Sequence, residues 1–446
     1  MPRLLLGDLY PHDFGGDVAP ISDTMARSAA AGSQAIVWYA ESGDVIVLPQ
    51  APDPEFLAYR TTLLGVDRES LRIVVPPIAE ASPYFLTRDR LTSAAGLAEL
   101  RDALAGRTVD RIVALMPDAA IAALATELGC PEALPGHQFF SQGGALLANG
   151  KACFRAVAAG VGAPLPPGGV ARGRADARAL VMELLEQGHP VILKRDFGGG
   201  GMGSEVVALE AIPHPVGAQR AVHLPSTDHL DDYLDERWDW LTNGDRFPVV
   251  VERYYHRARA IFAEFEITDE AATFEEHGEI IHAPIAFAEF IPAPDLPPDA
   301  LDRLVTIGQA LAEGMRMMGY RGVVSADAIL LDDGEVLLTE WNGRMTASTT
   351  IYRNLGRRLI GPDFSRCRAL GEFVGWRVPS FPAAVARLDE AGLHYDPATR
   401  TGVVIVKGFN PEDSTVRYCV IAENTEAATQ MSSRVEGLFG PKDQVR

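Results

Sequence analysis

The chain is poor in cysteine and in net positive charge, has no long apolar run, and shows no G-x-G-x-x-G after its opening strand. Each absence excludes something. Only four cysteines occur in 446 residues (Cys130, Cys153, Cys367, Cys419), with no close pair of metal or redox spacing. Reduced thiols in a cytoplasmic protein are the simplest account. No stretch approaches the roughly 18 apolar residues a membrane helix needs, so no membrane partner is expected. The N-terminus reaches Asp8 too soon for a signal peptide. A formal charge of −20 argues against a nucleic-acid partner, whose phosphates would be repelled. It leaves room for a nucleotide, whose site needs only local cations, and mildly favours substrates bearing an amine or guanidine. Without the glycine fingerprint no dinucleotide is assigned, which removes an NAD-dependent oxidoreductase.

What is present is a chain too long for one core. With 47% hydrophobic and 22% charged residues it is composed like a folded protein. Strands are expected at residues 3–7, 34–39, 44–48, 70–75 and 111–116, with helical patterns such as 97–104 between them, an α/β layer domain over residues 1–140. Residues 151–159 and 174–187 read as helices around a Gly/Pro-rich break. Strand–turn–strand material follows to about 292, then an amphipathic helix over 297–318 with Pro298 in its first turn and Gly319 at its cap. From 361 to 446 a small α+β segment is expected, with strands at 402–407 and 416–421 and a helix over 425–437.

The most informative passage lies near residue 330. Residues 323–331 are apolar and partly β-branched, Asp333-Gly334 suits a two-residue hairpin turn, and 335–340 return. Counting outward from that turn places Asp327 opposite Glu340, with Asn342 on the same face. Two like charges across a ladder repel, so either a cation offsets them or one carboxylate keeps its proton. Three hard oxygen donors suit Mg²⁺ shared with nucleotide phosphates. A pair of edge-strand acids in water is the other reading.

Four further signals accompany it. An apolar strand delivers Lys194 to the run Gly198-Gly199-Gly200-Gly201-Met202-Gly203-Ser204, and a strand, not a helix, follows. That differs from a P-loop but still lets backbone N–H groups close over phosphate. A flexible surface hairpin is the alternative. Lys151, in Asn149-Gly150-Lys151, opens a helix against its dipole, which a nearby anion would explain; a solvated surface lysine is more common. Residues 248–255 form an apolar strand ending in Glu252, Tyr254 and Tyr255, a slot for a flat base or a core strand reaching the surface. Arg344, two residues past Asn342, suits an anion or simply pairs with Asp327 or Glu340. The hydroxyl-rich residues after it, 346–350, are candidates for substrate contact.

This order of motifs resembles the ATP-grasp superfamily. Glu340-Trp341-Asn342-Gly343-Arg344 looks like its E-x-N-x-R signature, and Asp327 stands where the family has its other metal acid. The likeness covers about 145–360, and the layout of the whole chain is similar to peptide ligases of the pheganomycin type. It implies an N-terminal α/β pre-ATP-grasp domain (1–140), an ATP-grasp core of two subdomains (141–360, lid about 190–255) and a small C-terminal α+β domain (361–446). It implies ATP and Mg²⁺ as cofactors. Lys151 and Lys194 would hold phosphates, with Gly199, Gly200, Gly201 and Ser204 in the lid. Glu252, Tyr254 and Tyr255 would line the adenine slot. Asp327, Glu340 and Asn342 would bind the metal, while Arg344 and Lys194 act on the transferring phosphoryl group. Arg257 and Arg259 occupy the place of a ribose-binding acid, leaving Glu264 as a late candidate. The implied reaction joins a carboxylic acid, a guanidino amino acid in those relatives, to an amine or peptide in natural-product biosynthesis. An ATP-grasp kinase, a carboxylate–thiol ligase and a non-catalytic nucleotide-binding protein are the alternatives. The sequence leaves the oligomeric state open, a homodimer included.

Overall fold

The computed structural model describes residues 1–9, 22–78 and 83–439. Three sheets organise them. Leu4–Leu6, Val45–Val47, Arg72–Val74 and Ile112–Ala114 make a short parallel sheet. Its two central strands, Leu4–Leu6 and Val45–Val47, are buried on both faces, as parallel strands covered by helices must be. The segment expected as a strand at 34–39 is instead a 3₁₀ helix, Gln34–Tyr39. Ile36, Val37 and Trp38 are all buried, and the Trp38 indole donates to the Val406 carbonyl, 2.9 Å away. A short apolar run buried on every side carries no period that separates helix from strand.

The second sheet has five strands and contains the segment expected as a lid. It begins at Gly168–Ala171, some twenty residues before the expected lid, and continues through Val191–Arg195, Ser204–Ala208, Arg220–His223 and Val249–Arg253. Helices Arg174–Glu186 and Leu230–Thr242 cover one face. The second helix replaces part of the expected strand-rich stretch. Its buried Leu230, Tyr233, Leu234 and Leu241 are at helical spacing.

The third sheet has eight antiparallel strands. The hairpin of Gly322–Leu330 and Val336–Asn342 forms one edge, followed by Arg259–Ile267, Ala272–His282 and Ala286–Ile291. The sheet then runs without a break into Ala369–Arg377, Thr415–Ala422 and Gly402–Asn410. The segment after residue 361 therefore extends this sheet and builds none of its own. Helix Pro298–Met317 packs behind it through Ala300, Leu304, Gly308, Leu311 and Met315. The Phe265 ring fills the space a side chain at Gly308 would need.

Candidate active site

The hairpin pairs Asp327 with Glu340, as counting predicts, but by another route. Near the turn Leu330 faces Val336 and Ala328 faces Leu338, one residue out of the expected register. The turn spans three residues, with Gly334 at φ 85° and its N–H on the Leu331 carbonyl. A bulge at Thr339 then restores the pairing. That bulge matters for the site, because the Thr339 carbonyl accepts from Lys194 Nζ at 3.3 Å.

Both lysines arrive buried. Lys151 opens helix Lys151–Gly160, and its Nζ lies 2.9 Å from Glu340 Oε2 and donates to the Gly198 carbonyl at 2.7 Å. It links the metal acid to the glycine loop. Lys194 Nζ lies 2.6 Å from Glu252 Oε2, and Arg155 holds the other Glu252 oxygen. Glu252 is 1% exposed. Glu252, expected to line a base slot, does line the cavity, but its carboxylate is committed to two cations and sets the position of Lys194. Asp196 was missed. It accepts from the Ala152 N–H through Oδ1 and from the Lys151 N–H through its carbonyl, tying the helix start to the end of the lid strand. Nothing local distinguishes it from a loop acid. Asn149 accepts from Arg344 Nη1 at 2.7 Å, so the residue two before Lys151 orients the arginine of the E-x-N-x-R passage.

Lys151, Lys194, Gly199, Gly200, Gly201, Ser204, Glu252, Tyr254, Tyr255, Asp327, Glu340, Asn342 and Arg344 all line one cavity of about 290 Å³ between lid and large sheet. The glycine loop closes its roof. The Ala286 N–H donates to the Gly200 carbonyl, and the Gly217 N–H to the Pro284 carbonyl. Gly201 sits at φ 85°, and a Cβ there would come within 2.9 Å of the Gly217 backbone, so glycine is required. The Tyr254 ring packs with Ile192, Val206 and Ala218, and its hydroxyl donates to the Val216 carbonyl. The Arg253 guanidinium lies over the Tyr255 ring.

Two expectations change. Glu264 is fully buried and accepts from Thr346, Ser348 and Thr349 hydroxyls. It is an internal anchor for that segment, not a ribose ligand, and those hydroxyls donate to it, although Thr346 and Ser348 also line the cavity. Arg259 pairs with Glu279.

The paired acids differ in charge state. Burial pushes Glu340 up, but Lys151 and Lys194 outweigh this and hold it below the usual carboxylate range. Asp327 is pushed up to about 7, by burial first and then by Glu340. Ser325 Oγ and Asn342 Nδ2 donate to its two oxygens. Of the two, Asp327 is the one that holds a proton more readily. Among the described residues no three His, Cys, Asp or Glu side chains form a metal cluster. Two facing carboxylates and an amide fit Mg²⁺, which completes its shell with water and phosphate.

Two family models match the sequence: the Pre ATP-grasp domain over residues 33–130 and the PGM1 C-terminal domain over 383–435. Solved structures match nearly end to end. An ADP complex of N5-carboxyaminoimidazole ribonucleotide synthetase aligns with TM-score 0.57 at 12% identity, covering 92% of this chain and 93% of that one. A β,γ-ATP complex of biotin carboxylase from Campylobacter jejuni aligns with TM-score 0.59 at 14% identity, covering 97% and 90%. The chain has an ATP-grasp fold. L-amino acid ligase from Bacillus licheniformis shares it at TM-score 0.52 and 12% identity, over 89% and 91% of the two chains. In sequence, pyruvate carboxylase of Aspergillus niger is 24% identical over 245 residues, half of this chain and 17% of that much longer protein.

Proposed function

We propose that this ATP-grasp chain is an ATP-dependent carboxylate–amine ligase. A substrate carboxylate attacks the terminal phosphate of ATP, giving ADP and an acyl phosphate; an amine then attacks the acyl carbon and phosphate leaves, forming an amide. The observation that carries this reading is the convergence of Lys151 and Lys194 on Glu340 and the Thr339 carbonyl beneath a closed glycine loop. Phosphoryl transfer asks mainly for positioning and charge stabilisation. Lys151 and Lys194 supply positive charge, residues 199–201 and Ser204 supply the loop, and Tyr254 and Tyr255 wall the base. Glu252 acts through Lys194 as a positioning residue. Asp327, Glu340 and Asn342 would hold Mg²⁺, which when bound neutralises phosphate charge. Arg344 steadies the transferring group. The roof excludes water from an acyl phosphate awaiting its amine.

The ADP-bound and ligase relatives of the same fold support this reading. The resemblance of its layout to pheganomycin-type ligases favours an amino-acid or peptide acceptor in natural-product biosynthesis. Four cysteines free of disulfides suit a cytoplasmic setting.

The test is an ADP-release screen of carboxylic acids against amines and peptides with Mg²⁺. ADP that appears only when acid and amine are both present supports the ligase. ADP indifferent to the amine points to a kinase or thiol ligase. ATP binding without ADP from any pair would leave a nucleotide-binding protein.

A further inference from the structure

One acid in this cavity has no part in the phosphate site. Glu289, on strand Ala286–Ile291, lies opposite Glu372 on one side and Ile280 on the other. Ile280 pairs with Ala260, and Ala260 with Ile329. Direct partners across antiparallel ladders project from one face, so these five residues form a row. Asp327, two residues from Ile329, shares that face. Three strand spacings of about 4.8 Å separate the strand of Glu289 from that of Asp327, roughly 14 Å across the cavity floor. Glu289, Ile280, Ala260, Ile329 and Asp327 all line the cavity.

The two paired acids are not equivalent. Glu372 has Arg417 at 3.6 Å, and Lys407 is the ladder neighbour of Arg417. Glu289 makes no ion pair with any described residue, and its Oε1 is shut from solvent without a hydrogen-bond partner. Burial, and then Glu372, push its carboxyl well above the usual range. His282 adds a second buried nitrogen without a partner, Nδ1, and lines the same cavity. A desolvated acid of this kind lowers stability until a cation reaches it. The cavity gives a cation its way in.

We propose that Glu289, backed by Glu372, is a subsite for a positively charged organic group, an ammonium or a guanidinium, carried by one of the two substrates at the end remote from its reacting group. Its biological meaning rests on the ligase reading above; the binding does not.

The test is therefore made without ATP. Thermal unfolding of the full chain is followed with millimolar pentylamine and pentylguanidine, and with pentanol and pentylurea as uncharged controls. The cations should raise the unfolding temperature and the controls should not, and the larger shift names the favoured cation. Glu289→Gln should unfold at a higher temperature than wild type when no ligand is present. It should also bind the cations roughly tenfold more weakly, the loss expected for one charged hydrogen bond. Equal shifts from charged and uncharged probes, no shift at all, or an undiminished response in Glu289→Gln would overturn the proposal. So would failure of that variant to fold, because the acid would then be part of the frame. An ADP screen that finds no substrate pair would sink the ligase reading and leave this result standing.

Discussion

Asp327→Asn separates the effect of charge from that of shape at the centre of the site. Glu340 is stabilised as an anion by Lys151 and Lys194, whereas the Ser325 hydroxyl, the Asn342 amide and the Arg344 charge do not offset burial and Glu340 at Asp327. Its carboxyl binds a proton up to about pH 7 in the fold, against 3.8 when free. A folded-state value above the unfolded one means the group's stability is complete below about pH 4. It is lost as pH rises through 7. One pH unit is worth about 1.4 kcal/mol, so a rise of about three units sets an upper limit near 4 kcal/mol. Sharing of charge with Glu340 lowers that limit. In metal-free protein, Asp327→Asn should be about 2–4 kcal/mol more stable than wild type at pH 8.5, with the gain shrinking towards zero at pH 4. The Asn342 amide only has to turn over to keep its bond. Urea denaturation across that range measures the difference. At pH 8.5, Mg²⁺ with ADP should raise the wild-type midpoint and leave that of the variant almost unmoved. A variant less stable than wild type at pH 8.5, or one that keeps the full Mg²⁺-dependent rise, would refute the reasoning.

Other substitutions probe the remaining parts. Glu340→Gln should nearly abolish ADP release with circular dichroism unchanged; wild-type turnover would remove it from the metal site. Lys194→Ala should raise the KM for ATP about tenfold or more, since a charged contact to phosphate is lost, while Glu252 keeps Arg155. An unaltered KM would end its role as a phosphate clamp. Glu252→Gln leaves two buried cations without their anion and should cost about 3–5 kcal/mol in chemical denaturation. A cost under about 1 kcal/mol, typical of an exposed pair, would mean that the Arg155–Glu252–Lys194 chain is not desolvated. Gly201→Ala places a Cβ against the Gly217 backbone at a φ that disfavours alanine. It should weaken ADP binding in a titration, and unaltered affinity would detach the loop from the nucleotide.

Short-range rules carried much of the site. Alternation along a strand put Asp327, Glu340 and Asn342 on one face, and a strand running into glycines marked Lys194, because both follow from chain geometry over a few residues. Even there, the pairing of Asp327 with Glu340 came out right through two offsetting departures, a three-residue turn and a bulge at Thr339. Bulges answer to packing and leave no local signature. Long-range pairing decided the rest. Glu252 finds Lys194 and Arg155, Asp196 finds the start of helix Lys151–Gly160, and Glu264 gathers three hydroxyls from over eighty residues away. The strands after residue 361 join the central sheet. By itself, then, the sequence determined which side chains have the chemistry and which face of their strand they occupy. The tertiary structure alone decided which of them neutralise one another and which, like Asp327 and Glu289, are buried so that the protonated form is favoured. Desolvation and ion pairing depend on what the fold brings within a few ångströms, and no spacing along the chain encodes that distance.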